Sequence, residues 1–229
     1  MRAALIWCCG LIGLLAAPQP CHAGRPAPQP APAPAQVLRV LARVAGNLRH
    51  TAYKPVLRVD ERRGRYEFDC SAMAGWVLGQ AAPRARRALQ RTRPLARDFY
   101  HAIVEAPADR AQRGWRRVSR IADAEAGDVL AWKRPLWFRS RNTGHVAFVL
   151  ASPEPVPGGF LVRIADATSL PHGEDSRDPN GGGGFGDGTL LVTVDVATGA
   201  GKGYGWHGRR SLDHALVIET PIVIGRVSR

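Results

Sequence analysis

The sequence contains few cysteines, few acidic residues and only one long apolar run. These scarcities limit the kinds of scaffold and of partner that the protein can have. Three of its four cysteines stand within the first 21 of its 229 residues. The fourth, Cys70, has no partner in the remainder of the chain, which excludes a scaffold of internal disulfides. Asp and Glu number 19 against 32 Lys and Arg, giving a net charge of +13. This excess favours anionic partners: nucleic acid, anionic lipid or the acidic polymers of a bacterial envelope.

The only long apolar run stands at the N-terminus. Arg2 precedes the apolar residues 3–17, and the small-residue site Cys21-His22-Ala23 follows them. This order is typical of a secretory signal peptide, and the run is too short to cross ~30 Å of hydrocarbon comfortably. We therefore predict a signal peptide over residues 1–23, a secreted or periplasmic mature protein, and no integral membrane segment.

The mature chain is predicted to be a short tether followed by one domain. Residues 24–35 alternate Pro with Ala and Gln, a composition typical of an extended tether, and residues 36–229 have an ordinary globular composition. Helical spacing of apolar residues indicates helices in the first half of this domain. Short apolar runs separated by Gly, Pro and Asp indicate strands in the second half. Helices followed by strands predict an α+β fold with N-terminal helices packed on an antiparallel sheet.

Cys70 is the candidate nucleophile. It follows Asp69, a suitable N-cap, and opens the small-residue segment at 70–78, which predicts a helix beginning at the thiol. Unpaired N–H groups and the positive end of the helix dipole favour a thiolate at this position. The same N–H groups, with Ser71 beside the thiol, are candidates to hold an oxyanion.

His145 is the candidate general base. The segment Thr143-Gly144-His145-Val146-Ala147 places a histidine at the start of an apolar strand, from which its imidazole can reach a helix packed on the sheet. An imidazole in that position can take the thiol proton and return it to a leaving amine.

Three ordered segments resemble the NlpC/P60 superfamily of papain-like cysteine peptidases. They are Asp69-Cys70-Ser71, Gly127-Asp128-Val129 and Gly144-His145-Val146-Ala147. The resemblance implies a papain-like fold, hydrolysis of peptide bonds in cell-wall peptidoglycan, no cofactor, and a third polar residue after the histidine. Asp166, at the end of the next predicted strand, is the first candidate for that residue, and His172 is the alternative. Tyr66 resembles a tyrosine that lies near the nucleophile in some members.

Other interpretations remain open at this point. A non-catalytic module could bind an envelope polymer or a partner protein through its basic face, and an acyltransferase or amidase on a non-peptide substrate could share the Cys–His chemistry. The Gly-rich segment at 181–188 predicts a mobile loop or lid. The arginine-rich segment at 84–97 has no interleaved aromatic residues, so we predict no nucleic-acid partner. We further expect no metal and a monomeric chain.

Overall fold

Short helices and a small sheet precede the main sheet along the chain. The structure is a computed structural model and describes residues 32–139, 142–213 and 216–228, which belong to one compact unit. The predicted signal peptide and most of the predicted tether lie outside these residues. The four α-helices of the described part are α1 (Ala33–Asn47), α2 (Cys70–Ala81), α3 (Pro83–Ala88) and α4 (Ala96–Val104). Because α1 begins at Ala33, the last three residues of the predicted tether are helical.

Helices α1 and α2 form where local sequence favours them. Helix α1 buries an apolar face at helical spacing, formed by Val37, Val40, Leu41 and Val44. Helix α2 begins at Cys70, and the side chain of its N-cap, Asp69, accepts a hydrogen bond from the backbone N–H of Ala72. Its small and apolar residues are buried on most sides, so α2 packs against α1 and against the main sheet.

A three-stranded sheet lies between α1 and α2 in the sequence. Its strands are β1 (His50–Tyr53), β2 (Leu57–Asp60) and β3 (Arg65–Phe68), in the order β1-β3-β2. Strand β1 runs parallel to β3, whereas β2 is antiparallel to it. Sequence patterns did not indicate this sheet, whose edge strand β1 ends at Tyr53, beside the candidate thiol.

The main sheet closes on itself. Its strands are β4 (Trp115–Val118), β5 (Val129–Lys133), β6 (Gly144–Val149), β7 (Glu154–Val156), β8 (Gly159–Thr168), β9 (Gly184–Val194), β10 (Gly201–Gly205) and β11 (Val217–Val227). They follow the order β10-β9-β8-β6-β5-β11-β4, with β7 paired to β8. Strand β10 also pairs with β11, so six antiparallel strands form a closed barrel. The predicted papain-like α+β fold, with N-terminal helices on an antiparallel sheet, is therefore wrong.

Closure depends on a glycine-rich strand that sequence patterns do not indicate. Strand β10 lies between β9 and β11 and reads Gly-Lys-Gly-Tyr-Gly. A Cβ atom on Gly203 would lie 2.8 Å from Oγ1 of Thr193 on β9, and one on Gly201 would lie 2.7 Å from Cβ of Ile222 on β11. Glycine is depleted in strands by propensity, but here it allows the close approach that joins the two ends of the sheet.

The barrel separates two apolar cores. Alternate strand residues such as Leu130, Ala147 and Ile164 fill the barrel interior, and the opposite faces pack against the helices. The prediction of a mobile loop at 181–188 is wrong from Gly184 onward, because β9 begins there. In the part of the chain that the structure describes, no helix has both the length and the apolar character needed to cross a membrane.

Candidate functional site

The candidate site lies at one end of the barrel, where β6 begins and β8 ends. His145 is the second residue of β6, and Asp166 is the third residue from the end of β8. Both are buried, and Nε2 of His145 lies 2.5 Å from Oδ2 of Asp166. A hydrogen bond from Nε2–H to the carboxylate fixes the ring orientation and leaves Nδ1 for a second partner.

Cys70 provides that second partner from the first turn of α2. Its buried thiol is hydrogen bonded to His145. The Asp69 carboxylate accepts hydrogen bonds from the Ser71 hydroxyl at 2.8 Å and the Ala72 N–H at 2.7 Å. By helix geometry the N–H groups of Cys70 and Ser71 have no acceptor within the helix. Those two donors therefore lie beside the sulfur and are oriented by the same cap that begins the helix.

Tyr53 is a site residue that sequence reasoning missed. This last residue of β1 is hydrogen bonded to the Cys70 thiol through its side chain. Burial, followed by the negative charge of Cys70 and then of Asp69, raises the pKa of Tyr53, so its hydroxyl remains a proton donor. No local pattern marks this tyrosine, because the three-stranded sheet that positions it is itself hard to predict.

The two predicted substrate or oxyanion side chains have other partners. The Tyr66 hydroxyl accepts a hydrogen bond from Asn47 at 3.3 Å, and the ring packs edge-on against Trp76. Tyr53, rather than Tyr66, is thus the tyrosine hydrogen bonded to the thiol. The Ser71 hydroxyl is engaged by Asp69. Within Ser71, the backbone N–H and not the hydroxyl is therefore left to serve an oxyanion.

Asp166 is held from its other side by a buried network. Nε2 of His172 lies 2.8 Å from Oδ2 of Asp166, and the Arg177 guanidinium donates to Oδ1. Arg177 also donates to Oδ2 of Asp175 at 2.7 Å and to the carbonyl of Gly184 at 2.8 Å. Asp175 in turn accepts the backbone N–H of His172 at 2.7 Å. The structure thus brings Cys70, His145, Asp166 and His172 together, with Asp166 in direct contact with His145 and His172 behind it.

Charge interactions shift the pKa values of the central pair in opposite directions. Burial would lower the pKa of His145, but the charge of Cys70 and hydrogen bonds to Asp166 and Cys70 outweigh it and raise this pKa to about 9. Burial would raise the pKa of Asp166, but the charge of His172 and hydrogen bonds from His145 and His172 hold it well below its usual range. At neutral pH these shifts favour a protonated His145 imidazolium beside the Asp166 carboxylate.

Three of these residues also have the spacing of a metal site. The ligand atoms of His145, Asp166 and His172 all lie within 4.8 Å of one another. Both imidazoles, however, already bond to the same oxygen of Asp166, and Arg177 occupies its other oxygen. A cation here would displace two hydrogen bonds and lie close to a buried guanidinium. The donor set therefore fits a hydrogen-bonded network better than a metal centre.

Aromatic rings shield the imidazole from water. The Trp132 ring, on β5 opposite His145, lies 4.9 Å from the imidazole between centroids, and the Trp206 ring lies 5.4 Å away. Trp206 also packs on His172 at 4.1 Å, and its Nε1 donates to the carbonyl of Pro171 at 3.1 Å. By excluding water, these rings strengthen the hydrogen bonds beneath them.

A cavity of about 530 Å³ opens beside the imidazole. That volume is within the range of small-molecule sites, and barrel mouths commonly hold them. Its described walls contain no carboxylate, one arginine (Arg134) and several apolar or aromatic side chains: Trp132, Phe138, Leu170, Tyr204, Trp206 and Ile218. These walls favour a group with a large apolar part, and Thr168, Ser169 and His207 add polar atoms to the same lining.

The site as a whole combines a thiol, an imidazole and a carboxylate in one hydrogen-bonded series. Such a series can generate a nucleophilic sulfur and return a proton to a leaving group. The fold around it is a closed barrel with a glycine-rich closing strand. No protein-family model, no curated protein and no solved structure matches this chain.

Proposed function

We propose that this protein is an exported cysteine hydrolase that cleaves amide bonds, with peptides of the bacterial cell wall as its substrates. The observation that carries the proposal is the series Cys70–His145–Asp166, in which the thiol stands at a capped helix start and the imidazole is bonded on both sides. The three short segments that resemble NlpC/P60 peptidases suggest the same chemistry and the cell-wall substrate, but the papain-like fold that this resemblance also implies is not the fold observed.

The proposed reaction follows from the positions of the protons. The Cys70 thiolate attacks the amide carbonyl carbon, and the backbone N–H groups of Cys70 and Ser71 stabilise the resulting oxyanion. The His145 imidazolium then protonates the departing amine, which leaves a thioester on Cys70. His145, now neutral, takes a proton from water, and the resulting hydroxide attacks the thioester; collapse releases the acid and restores the Cys70 thiolate beside the His145 imidazolium. Asp166 keeps the ring in the required tautomer throughout.

A second candidate is an amidase or acyltransferase that acts on a non-peptide substrate. The apolar walls of the cavity favour it, because cell-wall peptides carry polar and charged groups that this surface would desolvate. Both candidates pass through a thioester on Cys70 and differ in the acyl group and in the acceptor.

The test is detection of that thioester. The protein is incubated with purified muropeptides and, separately, with amides and esters of graded acyl length, then quenched in acid and mapped by mass spectrometry. We expect an acyl adduct on the peptide that contains Cys70, and product release that stops in Cys70→Ala. Products from muropeptides favour the first candidate, and adducts restricted to apolar acyl groups favour the second.

Two variants serve as controls. Cys70→Ser retains the size of the residue and should trap a more stable ester at a much lower rate. Ser71→Ala removes a hydroxyl that only the N-cap uses, so adduct formation should persist. Turnover of any of these substrates at the wild-type rate by Cys70→Ala contradicts the mechanism.

Binding of an anionic envelope polymer is proposed as an accompanying property. Four cationic or titratable side chains surround the Glu67 carboxylate on the outer face of the small sheet: His50, Lys54, Arg58 and Arg65. One carboxylate cannot neutralise them, so the face retains positive charge. If the chain is only a binding module, salt-dependent polymer binding will survive Cys70→Ala and no thioester will form with any substrate.

A further inference from the structure

The mouth of the cavity is surrounded by exposed apolar side chains. Of the eight large apolar residues that are exposed in the described part of the chain, four lie at or beside this mouth: Leu136, Trp137, Phe138 and Leu170. Leu136 is 96% exposed and Trp137 is 66% exposed. Such a concentration around one opening marks an interaction surface, whereas scattered exposed residues would need no explanation.

The loop that carries Leu136, Trp137 and Phe138 is ordered by hydrogen bonds between its own residues. The Arg134 guanidinium donates to the carbonyl of Asn142 at 2.8 Å, to that of Pro135 at 3.3 Å and to that of Phe138. The Trp137 and Phe138 rings pack edge-on with centroids 5.8 Å apart. Because the backbone is tied inward, the Leu136 and Trp137 side chains are held outward, whereas the less exposed Phe138 lines the edge of the adjacent cavity.

The flanking charges indicate what the loop contacts. The exposed Lys133, whose ammonium lies 5.0 Å from the centroid of the Tyr100 ring, precedes the apolar residues, and the exposed Arg139 follows them; the Arg134 guanidinium is turned onto the loop carbonyls. A tryptophan and neighbouring large apolar residues between cationic side chains have the composition of a segment that enters the interface of an anionic bilayer. A cation on each side of the apolar residues adds electrostatic attraction for anionic headgroups.

We propose that the loop of residues 133–139 docks on an anionic lipid surface, with Leu136, Trp137 and Phe138 inserted at the level of the headgroups. In this orientation the mouth of the cavity faces the bilayer, since Phe138 and Leu170 line the cavity. The proposal concerns where the protein works and does not depend on the hydrolase chemistry. It also explains how an apolar group attached to a membrane-resident molecule would enter the cavity without crossing water.

The first test measures the depth of Trp137 in lipid. The full chain is mixed with vesicles of phosphatidylcholine, with or without phosphatidylglycerol, whose acyl chains carry bromine as a quencher. The chain has six tryptophans, so the readout is the difference in quenching between the wild type and Trp137→Phe. We expect extra quenching in the wild type on the phosphatidylglycerol vesicles. Equal quenching in the two proteins overturns the proposal.

The second test measures vesicle binding by sedimentation. The triple variant Leu136→Ser, Trp137→Ser, Phe138→Ser should lose more than about tenfold in affinity for anionic vesicles. Val196→Ser removes a residue with similar exposure, 98%, that does not line the cavity, and should bind as the wild type does. Arg139→Gln should lose about fivefold, whereas Arg110→Gln, which leaves the loop intact, should not.

All variants carry the same N-terminal segment, so any contribution of that segment cancels in these comparisons. Near-ultraviolet circular dichroism checks that the triple variant remains folded. Binding that the triple variant retains within twofold overturns the proposal, as does equal binding to neutral and anionic vesicles; the loop would then be assigned to a protein partner. Cys70→Ala should bind vesicles like the wild type, so loss of the proposed chemistry and loss of docking are distinguishable.

Discussion

Gly186 lies directly against the Arg177 side chain: a Cβ atom on Gly186 would be 2.6 Å from Cγ of Arg177. The glycine is therefore required because of the space that the arginine occupies. Arg177 cannot easily move aside, because it bonds to Asp166, Asp175 and the Gly184 carbonyl. The glycine-rich segment thus leaves space for the arginine that positions the carboxylate behind His145.

The first prediction concerns that contact. Gly186→Ala should displace Arg177, lower the free energy of unfolding by about 1–3 kcal/mol, and reduce the rate of acylation of Cys70. Gly182→Ala is the matched control, since a Cβ there would meet nothing within 4 Å. Urea unfolding and the acyl-adduct assay measure the two effects. Unchanged values for Gly186→Ala would show that Arg177 moves aside freely.

The second prediction compares a buried ion pair with an exposed one. Arg177→Ala removes the guanidinium that bridges the buried carboxylates of Asp166 and Asp175, so unfolding should require about 3–5 kcal/mol less. Arg209→Ala breaks the exposed pair with Glu154 and should leave the free energy of unfolding nearly unchanged, because solvent screens that pair. Denaturant titrations of the two variants provide the comparison. Equal costs would contradict the assignment of Arg177 to the interior network.

The third prediction distinguishes the two candidates for the third site residue. Asp166→Asn removes the charge next to His145 and should lower the acylation rate of Cys70 by about 10²–10⁴. His172→Gln retains a hydrogen-bond donor towards Asp166 and should cost less than about tenfold. The reverse order of losses would identify His172 as the residue that orients the imidazole.

The fourth prediction concerns Tyr53. Tyr53→Phe removes the hydroxyl that is hydrogen bonded to Cys70, so alkylation of the thiol at neutral pH should slow by about tenfold to a hundredfold. Tyr66→Phe should leave the rate unchanged, because the Tyr66 hydroxyl is hydrogen bonded to Asn47. Iodoacetamide labelling, read on the peptide that contains Cys70, measures both rates. A larger effect at Tyr66 than at Tyr53 would reverse the assignment.

The fifth prediction concerns pH. The pKa of His145 is raised from its ordinary 6.5 to about 9, so the folded protein holds this proton more tightly than the unfolded chain does. The resulting stability is complete below pH 6.5 and disappears as the pH rises through 9. In Cys70→Ala the imidazole loses an anionic neighbour, so its pKa should fall and stability should be lost at lower pH. Proton NMR of the histidines and unfolding at pH 6.5 and 9.5 check this.

Local sequence was sufficient for several elements of the protein. The N-cap of Asp69 and the small residues after it predicted a helix that starts at Cys70, and α2 does so. Apolar runs predicted the strands that carry His145 and Asp166, because short-range patterns of burial are written directly in the residue order. The proximity of Cys70 and His145 to one orienting residue, Asp166 or alternatively His172, was expected from the resemblance, and the catalytic roles of these residues stay predictions.

Only the tertiary structure decided the rest. Whether the sheet closes depends on β10 pairing with both β9 and β11, and three glycines with no strand propensity make that pairing possible. Tyr53 and Arg177 reach the site through side-chain contacts with Cys70 and Asp166, and these partners lie in other secondary-structure elements or loops. Periodicity reports which face of an element is buried, but not which distant element covers it. The amino-acid order alone therefore determined the thiol at its helix start and the histidine on its strand, and long-range packing selected the barrel and the partners around them.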